Sequence, residues 1–131
     1  MKLVIDTNRI IASLIKDGHS RKILFSNLFE FYTPDYTLME IYNHIEEIEI
    51  LMSMIFDNII IVPEHQYSSY LDKAKRFISD FDDVSFIAVA LFIGADGIWS
   101  DDSHFMTNPE IKVFRTKDMM DRVKEEEKLD F

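Results

Sequence analysis

The stretch Asp83–Phe105, DVSFIAVALFIGADGIWSDDSHF, constrains this chain more than any other. From Val84 to Ala95 it is apolar almost all round, apart from Ser85 and Gly94. Such a run is too long for an ordinary strand and too short to cross a membrane, so it predicts a helix buried on most sides. Gly94 and Gly97 punctuate the turn after it. Ile98–Ser100 reads as a short buried strand, and Asp101 and Asp102 follow at once. One acid therefore starts the helix and another ends the strand. With helix and strand side by side in an α/β layer, Asp83 and Asp102 approach one another at one edge.

The rest of the chain alternates in the same way. Lys2–Asp6 is a β-rich run with an acid at its end. Thr7–Lys16 has helical spacing, with Thr7 as N-cap and Asp17-Gly18 as a stop. Ser20 caps a second helix. Phe31–Pro34 reads as a strand closed by proline, and Asp35 or Thr37 caps a third helix with Leu38, Ile41, Tyr42 and Ile45 on it. Helix resumes over Ile48–Phe56 after a break near Glu49. Asn58–Val62 is a strand ended by Pro63, and a helical rhythm runs from Tyr67 to Ser79. Lys112–Phe114 is a last strand. Thr116 caps a final helix to about Leu129, whose KEEEK end is a solvated tip. This order predicts an α/β fold with three α/β/α layers, a mostly parallel central sheet and one domain over residues 1–131.

Composition narrows the function. The 131 residues are 47% apolar, enough for one sizeable core, with no cysteine. That excludes disulfides and cysteine-based zinc or redox sites, and fits a cytoplasmic setting. Nothing reads as a signal peptide or membrane span. The four histidines have no ligand spacing for zinc. The net charge of −10 argues against general nucleic-acid binding and for solubility, or for acids that converge and need cations. In parallel sheets the ligand site lies beyond the carboxyl ends of the strands, where Asp6 and Asp102 both fall.

Four stretches in order carry a family resemblance: Asp6-Thr7-Asn8 after the first strand, Glu40 in a central helix, Asp83 opening D-x-x-F-I-A-x-A, and Ser100–Phe105 as S-x-D-x-x-F. Together they resemble the PIN-domain family of metal-dependent ribonucleases, which includes the VapC-like toxins of toxin–antitoxin pairs. The resemblance covers essentially the whole chain. It implies that Asp6, Glu40, Asp83 and Asp102 hold Mg2+ or Mn2+ and carry catalysis, with Asn8 and Ser100 as supporting groups. It further implies an RNA substrate, cleavage to a 5′-phosphate and a 3′-hydroxyl, an antitoxin partner and a homodimer. The apolar faces at Leu51–Phe56 and in the final helix also favour pairing. Lys73, Lys75 and Arg76 form the clearest basic group for RNA phosphates.

Each acid also has a structural reading. Asp6 could end a strand, Asp83 could be a helix cap, Glu40 could complete a capping box with Thr37, and Asp102 could be a turn residue. Asp80 and Asp82 read as solvated acids, His104 as a surface residue or a group that reaches substrate, and Trp99 and Phe105 as core. Two other functions compete with a ribonuclease. One is a PIN-fold module that binds RNA or protein without cleaving. The other is a different Mg2+-dependent phosphotransfer enzyme of haloacid-dehalogenase type, against which Asn8 stands where a second aspartate belongs.

Overall fold

The computed structural model describes residues 1–42, 49–78, 80–107 and 110–129. Among them five strands form one sheet in the order β3-β2-β1-β4-β5, and every pairing is parallel. The strands are β1 (Lys2–Ile5), β2 (Glu30–Pro34), β3 (Ile59–Val62), β4 (Gly97–Trp99) and β5 (Val113–Phe114). The helices are α1 (Thr7–Ile15), α2 (His19–Phe25), α3 (Tyr36–Tyr42), α4 (Glu49–Phe56), α5 (Glu64–Tyr67), α6 (Leu71–Ala74), α7 (Phe81–Ile93) and α8 (Thr116–Leu129).

The two-residue period of the strands builds both faces. Leu3, Ile5, Phe31, Trp99 and Phe114 point to one side, into a core shared with Ile10, Leu14 and Ile23 of α1 and α2 and Met119, Met120 and Val123 of α8. Val4 and Ile98 point to the other, against Val84, Ile87 and Ala88 of α7 and Tyr67 of α5. The central sheet thus lies between two helical layers. Each fully buried Leu or Ile contributes roughly 1.5–3 kcal/mol. Trp99 and Phe105 are core residues, 0% and 3% exposed.

Several boundaries differ from those the sequence suggests. Asp6, not Thr7, caps α1: its carboxylate accepts the Arg9 amide at 2.9 Å. Helix α2 begins at His19, with Gly18 at its N-cap and Ser20 buried inside. Helix α3 begins at Tyr36, so Thr37 lies within its first turn and forms no capping box with Glu40. The Asp35 carboxylate turns instead to the Glu64 amide and the Tyr67 hydroxyl, both at 3.1 Å. Helix α7 starts at Phe81, with the Asp80 carbonyl taking the Asp83 amide at 3.1 Å. Asp83 is therefore in the first turn and is not the cap. The rhythm from Tyr67 to Ser79 breaks into α5, a 3₁₀ turn at Ser68–Tyr70 and α6. Two successive serines there favour local bonds over a continuous helix. Gly94 supplies the left-handed stop after α7, at φ 62°. Gly97 is part of β4. Ile45, His44, the supposed break before Glu49 and the end of the helix at Ser79 lie outside the described residues. So do the side chains of Leu51 and Asp82.

The apolar face of α8 is used within the chain. Met119, Met120 and Val123 are 0%, 6% and 2% exposed, so that face is not spare surface for pairing. Met54 on α4 is 52% exposed. No helix among the described residues is long and apolar enough to cross a membrane.

Candidate functional site

The carboxyl ends of β1 and β4 lie side by side, with Ile5 paired to Trp99. Asp6 follows the first strand and Ser100 the second. Parallel pairing therefore brings these two together from opposite ends of the chain. Ser100 donates its hydroxyl to Asp6 Oδ2, and Asp102 donates its amide to Ser100 Oγ at 3.0 Å. Asp6 is 5% exposed and Ser100 0%. Burial pushes the Asp6 carboxyl above its ordinary value, only partly offset by the bonds from Ser100 and the Arg9 amide, and the Asp102 charge raises it further.

Helix α3 brings Glu40 to the same place. Thr7, the first residue of α1, donates its hydroxyl to Glu40 Oε1 at 3.1 Å and lies 3.3 Å from Thr37 Oγ1. Thr33 ties this group to the sheet by donating to the Ile5 carbonyl at 3.1 Å. Asp6, Asn8, Glu40, Asp83 and Asp102 all line one cleft of about 80 Å³, with Phe86 and Phe105 as its apolar wall. Ser100 sits buried behind it. The cleft is large enough for an ion with some of its waters.

Asp83 meets an unexpected neighbour. His104 Nδ1 is 3.3 Å from Asp83, 3.6 Å from Asp102 and 3.7 Å from Asp80. Asp80, Asp83 and His104 form the one group of three acid or imidazole side chains, among the described residues, whose ligand atoms all lie within 4.8 Å. Burial raises the Asp83 carboxyl, and the Asp80 charge adds to this, while the His104 contact opposes it. Asp80, which the sequence suggests is a solvated acid, and His104, for which it offers a surface role or a contact to substrate, thus gather around Asp83 although neither lines the cleft. One signal existed: Asp80 precedes Asp83 by the spacing of a helix cap and its third residue, which share one face.

Asp101 turns away from the cleft. Its carboxylate takes Arg9 at 2.9 Å and the Thr116 amide and hydroxyl at 2.9 and 2.7 Å. Although burial pushes it up, these bonds and the Arg9 charge hold Asp101 below its ordinary value. Arg9, Asp101 and Thr116 therefore lock α1, β4 and α8 behind the site. Lys73, Lys75 and Arg76 are exposed and do not line the acidic cleft; Lys75 is 3.5 Å from Asp72.

Carboxylates from separate elements, with two carboxyls raised by burial and by neighbouring charge, form a donor set that suits a hard divalent cation. No curated protein matches the chain. A chain of VapBC2 from Rickettsia felis, in a crystal structure bound to a DNA fragment from their promoter, matches with a TM-score of 0.66 and 14% identity. The match covers 88% of this chain and 98% of that one, and at such identity it speaks for the fold. The PIN domain family model matches residues 4–122, nearly the full length, and the chain belongs to the PIN-domain family.

Proposed function

We propose that this protein is a Mg2+- or Mn2+-dependent ribonuclease, in which Asp6, Glu40, Asp83 and Asp102 hold the cation. The observation that carries the reading is the convergence of these four acids, from four separate stretches, on one cleft at the carboxyl edge of a parallel sheet. Membership of the PIN-domain family agrees with it. When bound, the cation supplies charge stabilisation at the phosphate and a more acidic water. The chain's own residues supply the geometry. Ser100 and the Arg9 amide hold the Asp6 carboxylate still. The Thr7 hydroxyl aims Glu40 into the cleft. Asn8 stands beside them, in the first turn of α1, whose amide end favours a phosphate oxygen. Attack by water on phosphorus breaks the bond to the 3′ oxygen, leaving a 5′-phosphate and a 3′-hydroxyl.

Lys73, Lys75 and Arg76 are the proposed phosphate contacts away from the cleft. The matched VapBC2 structure supports a biological setting as the toxin of a toxin–antitoxin pair, with an antitoxin protein as partner. A cytoplasmic homodimer completes the proposal. The test is cleavage of a defined single-stranded RNA by the purified protein with Mn2+, with Mg2+ and with EDTA. Cleavage only with cation, lost in Asp102→Asn, is the expected result. Binding without cleavage in all three conditions would leave a non-catalytic RNA-binding module.

A further inference from the structure

A second cavity, of about 250 Å³, takes lining residues from α3 and α7, the two helices that also line the acidic cleft, although no residue lines both. On α3, Tyr36 lines this cavity and Glu40 lines the cleft. They stand four positions apart, about one helical turn, so their β-carbons lie roughly 5–6 Å apart. On α7, Asp83 and Phe86 face the cleft while Val84 and Ser85 face the cavity. The first turn of α7 is therefore the partition between them.

The lining is chemically mixed. Tyr67 and Leu71 join Tyr36 and Val84 as apolar surface, and Glu64 and Lys75 bring one charge of each sign to the lining. Tyr67 is held in place by its hydroxyl, which donates to Asp35 at 3.1 Å. Tyr36 keeps 36% of its surface exposed at the mouth. The Lys75–Asp72 contact is a surface pair whose partner is 97% exposed, so it yields the ammonium to a phosphate at little cost.

We propose that this cavity receives the base of the nucleotide adjoining the bond to be cut in single-stranded RNA. The base stacks on Tyr36, and Lys75 takes the next phosphate. This rests on the ribonuclease reading and extends it to substrate recognition. An aromatic platform beside a cationic side chain is how single strands are held without pairing. The shared partition explains why one strand reaches both places: a phosphate in the cleft leaves its neighbouring base one helical turn away. It also reconciles RNA binding with a net charge of −10, since stacking adds affinity that counter-charge does not supply.

The test is fluorescence anisotropy with a labelled RNA tetranucleotide in Ca2+, which takes the same oxygen ligands. Versions of the RNA lacking the base at each position in turn are measured alongside. Tyr36→Ala should lower affinity at least about fivefold, and Tyr36→Phe should retain it. Loss of one particular base should weaken binding to the wild type, with little further effect in Tyr36→Ala. Met39→Ala, 67% exposed on the same helix and outside the cavity, should bind as the wild type does. Wild-type affinity in Tyr36→Ala, an equal loss in Met39→Ala, or no RNA binding at all would overturn the cavity's role. Cleavage assays on the same proteins separate the two readings. Cation-dependent cleavage with a neutral Tyr36→Ala removes the cavity alone. A Tyr36-dependent affinity with no cleavage in any cation removes the ribonuclease alone.

Discussion

Ser100 donates its hydroxyl to the carboxylate of Asp6, across the junction of β4 and β1, and the same oxygen accepts the Asp102 amide. One buried hydroxyl thus sets the positions of two acids that lie 96 residues apart in number. Ser100→Ala should leave Asp6 underbonded, and loss of a bond to a charged group costs about 1.5–3 kcal/mol. Cation affinity should fall roughly 10- to 100-fold, as for other groups that orient ligands. Ser100→Thr keeps the hydroxyl and should recover most of both. Thermal melts and Mn2+ titration by calorimetry measure the two effects. Unchanged cation affinity in Ser100→Ala would show that this bond does not orient the site.

The pH dependence of the cation-free protein should carry the mark of Asp6 and Asp83. Both carboxyls are raised in the folded state, from an ordinary value of 3.8. The folded protein therefore binds these protons more readily than the unfolded chain. Stability falls as pH rises from about 3.8 through the raised folded values. Asp101 acts in the opposite sense: its lowered value adds stability above 3.8 that is lost as pH falls through the folded value. In EDTA, Asp83→Asn should flatten the fall between acid and neutral pH and melt no lower than wild type at pH 7. A melting temperature well below wild type at pH 7 would contradict charge crowding at Asp83.

Asp102 and Asp101 form a matched pair that tests which carboxylates face the cation. A cation that binds only the folded state stabilises it by about 2.7 kcal/mol at a hundredfold excess over Kd. Wild type should melt higher with excess Mn2+, and Asp102→Asn should gain far less and lose RNA cleavage. Asp101→Asn weakens the contacts to Arg9 and Thr116 and should melt lower in EDTA, by about 1 kcal/mol for a partly exposed pair. It should still show the full Mn2+ shift and cleave RNA. The reverse pattern would place Asp101 in the site.

Assembly should depend on α4 rather than α8, because Met119, Met120 and Val123 of α8 are already covered. Sedimentation at micromolar concentration should show a species of twice 15.5 kDa for wild type, and Met54→Asp should shift it to the monomer. A wild type that sediments only as the monomer would end the homodimer proposal.

Gly97 admits no side chain. A β-carbon there would stand 2.6 Å from Phe114 Cε2 and 2.7 Å from the Lys112 carbonyl. Relief requires β5 to move, so Gly97→Ala should cost about 1–3 kcal/mol by overpacking. Gly94→Ala should also destabilise, for a different reason: its φ of 62° strains any β-carbon although nothing crowds it. Denaturant unfolding of both variants checks this. A neutral Gly97→Ala would mean that β5 yields freely.

The fold was legible because apolar pattern and element order nearly exhaust the alternatives. A buried-helix run at Val84, alternating short strands and scarce glycine leave little but a covered parallel sheet, and that is the sheet observed. Asp6 and Asp102 could be placed at its carboxyl edge for the same reason. What local pattern could not settle were the bonds made at that edge. Asp6 rather than Thr7 caps α1, and Thr37 turns to Thr7 and Thr33 instead of capping α3, because buried hydroxyls take whichever partner the packing brings. Asp80 and His104 look like surface residues one at a time. They gather around Asp83 only because the start of α7 and the segment after β4 lie side by side. The face of α8 looks spare until the sheet is seen to need it. Periodicity reports which side of an element is apolar, and residue type reports what chemistry is available. Only the three-dimensional packing decides which neighbour each polar group meets, because those neighbours are drawn from the whole length of the chain.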